Sequence, residues 1–141
     1  PTDLVTDDTL LRFGDFAIRF LAVPGHSPSD LLTIVDERFV HVGDALIAAN
    51  DGTPILPYVP PGALAAHIAS LQKLKEFSHC TLLPGHGGPI AAGAEAREAI
   101  ENRLRYLEAV SRSRSRITYE QATKDCTCEF LYKEWHENFY K

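Results

Sequence analysis

Three short turns carry side chains able to hold a metal: Val23-Pro24-Gly25-His26-Ser27-Pro28, Val42-Gly43-Asp44 and Leu83-Pro84-Gly85-His86-Gly87. Each follows a short apolar run that reads as a strand. Imidazole and carboxylate are ligands that zinc and other borderline metals accept. Glycine and proline beside each ligand give a tight, stiff turn. Any one such His or Asp is more often solvated or capping than metal-bound. Three together at strand ends point to an incomplete tetrahedral site with an open position. Water at an open metal position loses a proton near neutrality, and the metal-bound hydroxide can attack a carbonyl or phosphoryl centre.

The elements that must position these turns follow from patterning. Residues 9–13 and 16–22 are β-rich runs around Gly14-Asp15, a hairpin signal. In the second run Phe16, Ile18 and Phe20 alternate with Ala17, Arg19 and Leu21, which predicts a strand with one well-buried face. Residues 31–35 and 39–42 form the next pair, with Val40 and Val42 on one face and His41 on the other. Residues 48–61, rich in Gly, Pro, Asn and Asp, read as a long loop of the kind that carries function. Pro61 is expected to open a helix with Leu64, Ile68, Leu71 and Leu74 inward. Residues 80–83 read as a short buried strand. A second amphipathic helix is expected from Ala94 to about Val110, with Ile100, Leu104, Leu107 and Val110 inward. Thr118 and Gln121 have the spacing of a capping box, and residues 130–140 are aromatic and read as helical.

The 141 residues suffice for one domain with a core, and 45% hydrophobic content is ordinary for a globular protein. A net charge of −5 gives no general attraction to nucleic acid or an anionic membrane. No apolar run is long enough for a bilayer span. Three cysteines lack a disulfide framework and read as free thiols in a reducing cytoplasm. The absent initiator methionine suggests a chain cut from a longer one.

The ordered set Pro24-Gly25-His26-Ser27-Pro28, Val42-Gly43-Asp44-Ala45-Leu46, Ser70-Leu71-Gln72-Lys73-Leu74 and Leu83-Pro84-Gly85-His86-Gly87-Gly88-Pro89 resembles the metallo-β-lactamase superfamily. The resemblance runs from about Leu4 to Val110. It implies an α/β fold: the C-terminal half of an αββα sandwich, a mixed sheet with helices on one face, over residues 1–110, with a helical tail over 111–141. It implies that His26 belongs to a first metal position, that Asp44 bridges two metals and that His86 belongs to the second. The cofactor it implies is a divalent metal, zinc before iron or manganese, two ions in the whole protein. The reaction it implies is hydrolysis of a small-molecule ester, thioester, amide or phosphodiester.

The family's His-x-His-x-Asp-His motif, which should precede Leu4, has no match here. Either the chain is part of an enzyme that has the motif, or it is a truncated, inactive relative serving as a binding or assembly module. In both cases these residues alone are expected to bind metal weakly and to hydrolyse nothing. Half a sandwich leaves one sheet face uncovered, which predicts a homodimer through that face.

Asp30 is a further candidate, as a partner supporting a metal ligand, against the plainer role of a turn residue. Tyr58 is a candidate for lining a substrate cleft, against simple loop packing. The Arg112–Arg116 run reads as a solvated helix end. Cys126-x-Cys128 is tighter than usual metal spacing and reads as two incidental thiols. Cys80 reads as core, and Trp135, Phe139 and Tyr140 as docking the tail.

Overall fold

Five strands pair in chain order: β1 (Thr9–Phe13), β2 (Phe16–Ala22), β3 (Leu31–Val35), β4 (Phe39–Gly43) and β5 (Thr81–Pro84). The computed structural model describes residues 8–113 and 115–140, so the Leu4 end of the family resemblance and Arg114 of the arginine run lie outside the described residues. The first three pairings are antiparallel and β4–β5 is parallel. Direction alternates from β2 to β3 to β4, so β2, β4 and β5 all run the same way. Their C-terminal ends therefore share one rim of the sheet, and His26, Asp44 and His86 all come just after those ends.

Alternation then decides which residues meet the helices. Leu21, Leu32, Ile34, Val40, Val42 and Leu82 are buried and form a single core with α1 (Leu64–Lys75) and α2 (Ala94–Arg112). Ile100, Leu104, Leu107 and Val110 are all buried, as the spacing of α2 predicts. Among the described residues the helices cover only this face. Register lines up Leu11, Ile18, Val35 and Phe39 across the opposite face, where Phe13 is 74% and Phe16 53% exposed. The expectation of one well-buried face on β2 is thus corrected: Phe16 is exposed and Ile18 and Phe20 are half-buried. The buried residue of β2 is Leu21, on the other side. Period-two patterning marks an apolar face but says nothing about whether a layer lies on it.

The start of α1 is also corrected. Its first residue is Leu64, three later than Pro61, because Gly62 sits at φ +80 in a turn closed by Ala63 N–H on the Pro60 carbonyl. The buried stripe of α1 is shifted too: His67 and Ser70 lie inside beside Leu71 and Leu74, while Leu64 and Ile68 are half-buried. Ser70 Oγ donates to the Pro24 carbonyl at 2.7 Å, so α1 grips the chain just before His26.

The tail packs on α2. A four-residue α3 (Tyr119–Ala122) has the expected capping box between Thr118 and Gln121. The aromatic end is a 3-10 helix, Lys133–Tyr140, not an α-helix. His136 Nε2 lies 2.8 Å from the Ile117 carbonyl and Nδ1 2.9 Å from the Tyr106 hydroxyl. A carbonyl only accepts, so Nε2 carries the proton and Nδ1 accepts from Tyr106. Tyr106→Phe leaves that buried Nδ1 unpaired and is expected to cost about 1–3 kcal/mol, read by urea unfolding; an unchanged midpoint would show that the pair carries no weight. Cys80 is buried as expected, with Sγ donating to the Glu37 carbonyl. All three cysteines are free thiols, and burial pushes Cys126 up to about 11.

Candidate metal centre

The His26 turn is a closed connection between β2 and β3. Val23 N–H donates to the Asp30 carbonyl (2.9 Å) and Gly25 N–H to the Ser27 carbonyl (3.0 Å). The Asp30 carboxylate accepts from Ser27 N–H at 2.7 Å and from the Ser27 hydroxyl. Asp30 therefore braces the residue next to His26.

The other two ligands are joined by the parallel pairing. Gly85 N–H donates to the Gly43 carbonyl (2.7 Å) and Ala48 N–H to the His86 carbonyl (3.2 Å). An added Cβ at Gly85 would lie 2.5 Å from Asp44 Oδ1, so only glycine lets the strand end pass the carboxylate. Gly25 has the same function beside α1: a Cβ there would meet His67 Nδ1 at 2.5 Å and its backbone Cα at 2.8 Å.

These turns bring the three ligands together. His26 Nε2 lies 3.5 Å from Asp44 Oδ2, and His86 Nε2 lies 3.8 Å from Asp44 Oδ1. The two imidazoles thus approach different oxygens of one carboxylate. Two donors bound about 2.1 Å from one tetrahedral ion stand about 3.4 Å apart, so both gaps suit a shared ion. Among the described residues no group of three or more His, Cys, Asp or Glu side chains is placed to hold a single metal. Each metal position would then draw two ligands from this chain, His26 with Asp44 and His86 with Asp44. The His86 side chain is 73% exposed, so its outer side is open to further groups.

Two polar residues beside the centre gave no signal in the sequence. His67 is 2% exposed, and among the described residues neither ring nitrogen has a hydrogen-bond partner. Its pKa is lowered to about 4, mainly by burial. Arg103 is 2% exposed and is held by carbonyls instead of a carboxylate. Its Nη1 donates to the Ala99 carbonyl (2.8 Å) and its Nη2 to the Ile47 carbonyl (2.6 Å), with Nε unpaired among the described residues. Burial lowers its pKa to about 10, which leaves it charged at neutral pH. The Ile47 carbonyl adjoins Ala48, which holds His86, so Arg103 fastens the segment linking two ligands. Arg103→Met removes both charge-assisted hydrogen bonds, while the Ile47 carbonyl keeps the Ile55 N–H (3.0 Å), and should cost about 1.5–3 kcal/mol. Heat or urea unfolding checks this, and a variant as stable as the parent would show that the fastening is idle.

Tyr58 lies edge-on to His26, with ring centroids 5.9 Å apart. A cleft of about 520 Å³ lies behind the His86 turn between Ala48, Gly88, Glu98, Asn102 and Arg103. None of the three candidate ligands lines it.

No family model matches the chain, and no curated protein matches it. Solved structures do. It is similar to the archaeal metallo-β-lactamase superfamily protein ST1585 from Sulfolobus tokodaii, with TM-score 0.58 and 21% identity over 81% of this chain and 41% of that one. It is similar to the metallo-β-lactamase family protein TTHA1429 from Thermus thermophilus, with TM-score 0.57 and 21% identity over 95% of this chain and 47% of that one. A β-lactamase domain protein from Burkholderia ambifaria aligns with TM-score 0.63 and 16% identity over 96% of this chain and 44% of that one. The likeness is one of fold. The chain is an α/β unit with part of the metallo-β-lactamase fold, and it spans less than half the length of these structures.

Proposed function

We propose that this chain contributes to a metal-dependent hydrolase, with His26, Asp44 and His86 as ligands and zinc as the metal. The observation that supports this most is the approach of two imidazole nitrogens, at 3.5 and 3.8 Å, to the two oxygens of one carboxylate. A divalent ion held there would supply Lewis acidity to water and to the carbonyl or phosphoryl oxygen under attack. The chain's own residues do the holding. Gly85 and Gly43 fix Asp44, Ser70 and Asp30 fix the His26 turn, and Ala48 fixes His86. The substrate is a small-molecule ester, thioester, amide or phosphodiester.

A second reading, a binding or assembly module without activity, is favoured by the want of a third ligand at either position among the described residues. Zinc titration followed by the imidazole NMR signals separates the two. Metal-ligand roles predict that the His26 and His86 rings respond together and that Asp44→Ala removes both responses. Two rings unmoved at millimolar zinc would sink the metal reading. The affinity should be weak, with no ester turnover. Submicromolar stoichiometric binding would show that the chain completes a site by itself.

The open sheet face supports a further part of this reading, a homodimer in which a second copy covers Leu11, Phe13, Phe16 and Phe39. Light scattering at high concentration should return twice the chain mass, and a monomer would refute it. No helix among the described residues is long and apolar enough to cross a membrane.

A further inference from the structure

Beside the candidate metal centre the chain builds a ledge of aromatic rings from two distant segments. Tyr58 sits in the long loop after Asp44. Tyr132 and Trp135 come from the tail. Tyr58 meets the edge of His26 at 5.9 Å and of Trp135 at 5.7 Å, with interplanar angles of 64° and 80°. Trp135 in turn stacks on Tyr132 at 4.9 Å and 13°. The line of rings therefore starts at a candidate metal ligand and runs outward.

Backbone bonds set this arrangement. Leu56 N–H donates to the Leu131 carbonyl (3.1 Å) and Leu131 N–H to the Pro54 carbonyl (2.9 Å), which ties the tail to the loop just before Tyr58. Tyr132 then takes φ 58, a left-handed conformation unusual for an aromatic residue. That turn, closed by Trp135 N–H on the Tyr132 carbonyl, brings the two rings face to face. Trp135 and Phe139 pack half-buried against the core and dock the tail as expected, as buried Phe130 and His136 do. Tyr58 and Tyr132 instead stay 40% and 48% exposed.

We propose that this ledge binds the flat aromatic or heteroaromatic ring of a small-molecule substrate whose scissile group lies at the metal centre. The proposal rests on the hydrolase reading and adds the substrate class to it. Rigid rings lose little conformational freedom on binding, and they favour another ring over an aliphatic group of equal size through offset or edge contacts. Continuity with His26 sets the order along the ligand: reacting group toward the imidazole, ring toward Trp135.

Trp135 is the only tryptophan, so it reports on the ledge without ambiguity. The chain labelled with 5-fluorotryptophan should show a saturable 19F shift on titration with 1-naphthamide. Binding of the saturated analogue, decahydronaphthalene-1-carboxamide, should be at least fivefold weaker. Tyr58→Ala and Tyr132→Ala should each weaken 1-naphthamide at least fivefold while the circular dichroism spectrum stays unchanged. Equal affinity for the two amides, the lack of a saturable shift, or unaltered affinity in both variants would overturn the proposal. Asp44→Ala keeps this test apart from that of the metal: ring binding should persist there when the zinc response is lost, and loss of ring binding in that variant would count against the ledge.

Discussion

Alanine at position 25 is expected to lower unfolding stability by about 3 kcal/mol, the upper end of the usual cost of overpacking. The added methyl would lie 2.5 Å from His67 Nδ1 and 2.8 Å from its Cα. The second contact decides the size of the effect. A side-chain end can swing away, whereas a helix backbone must move as a body, and α1 is held by Leu71 and Leu74 in the core. The melting temperature should fall by roughly 10 °C. Gly88→Ala is the control, because a Cβ there meets nothing within 4 Å. Equal melting temperatures for the two variants would show that the close approach of the His26 turn to α1 is not what glycine is needed for.

Acidification should weaken the fold through His67 by about 3 kcal/mol between pH 6.5 and about pH 4. The sign follows from proton counting. The unfolded chain takes up a proton on this imidazole below its ordinary pKa of 6.5, while the buried ring in the fold stays neutral down to about 4. The unfolded state therefore binds more protons in that window, and stability drops as pH falls through it. Above pH 6.5 the group has no effect, and below about 4 both states are charged and the loss is complete. His67→Leu removes the titration and keeps an apolar group of similar size. Urea unfolding from pH 7 to pH 4 should show a smaller decline in the variant than in the parent, and parallel declines would rule out His67 as the source.

The five strands, both long helices and the turns bearing His26, Asp44 and His86 could be read from the sequence because their signals are local. Alternation in β2 and β4, glycine beside each ligand, and the spacing of Ile100, Leu104, Leu107 and Val110 each need only a short window. What was not legible depends on contacts between distant segments. His67 interrupts no periodicity, and only the approach of Gly25 shows why it is inside. Arg103 falls within α2 like any surface arginine, and nothing near it marks the Ile47 carbonyl as its acceptor. Trp135 carries no sign of its contact with Tyr58, far earlier in the chain. The face of β2 failed for another reason: its pattern is right, but covering it is not a property of the strand.

The parallel pairing of β4 with β5 has a consequence for the order of folding. Hairpins such as β1–β2 close over a few residues and can form early. Asp44 and His86 meet only after the long loop and α1 have been looped back to seat β5 beside β4. Chain closure over that span is slow compared with local pairing. Partly folded species that already hold the native β2–β3–β4 hairpins should therefore set His26 beside Asp44 but lack His86, so the His86–Asp44 pair should form only at the last long-range step of refolding.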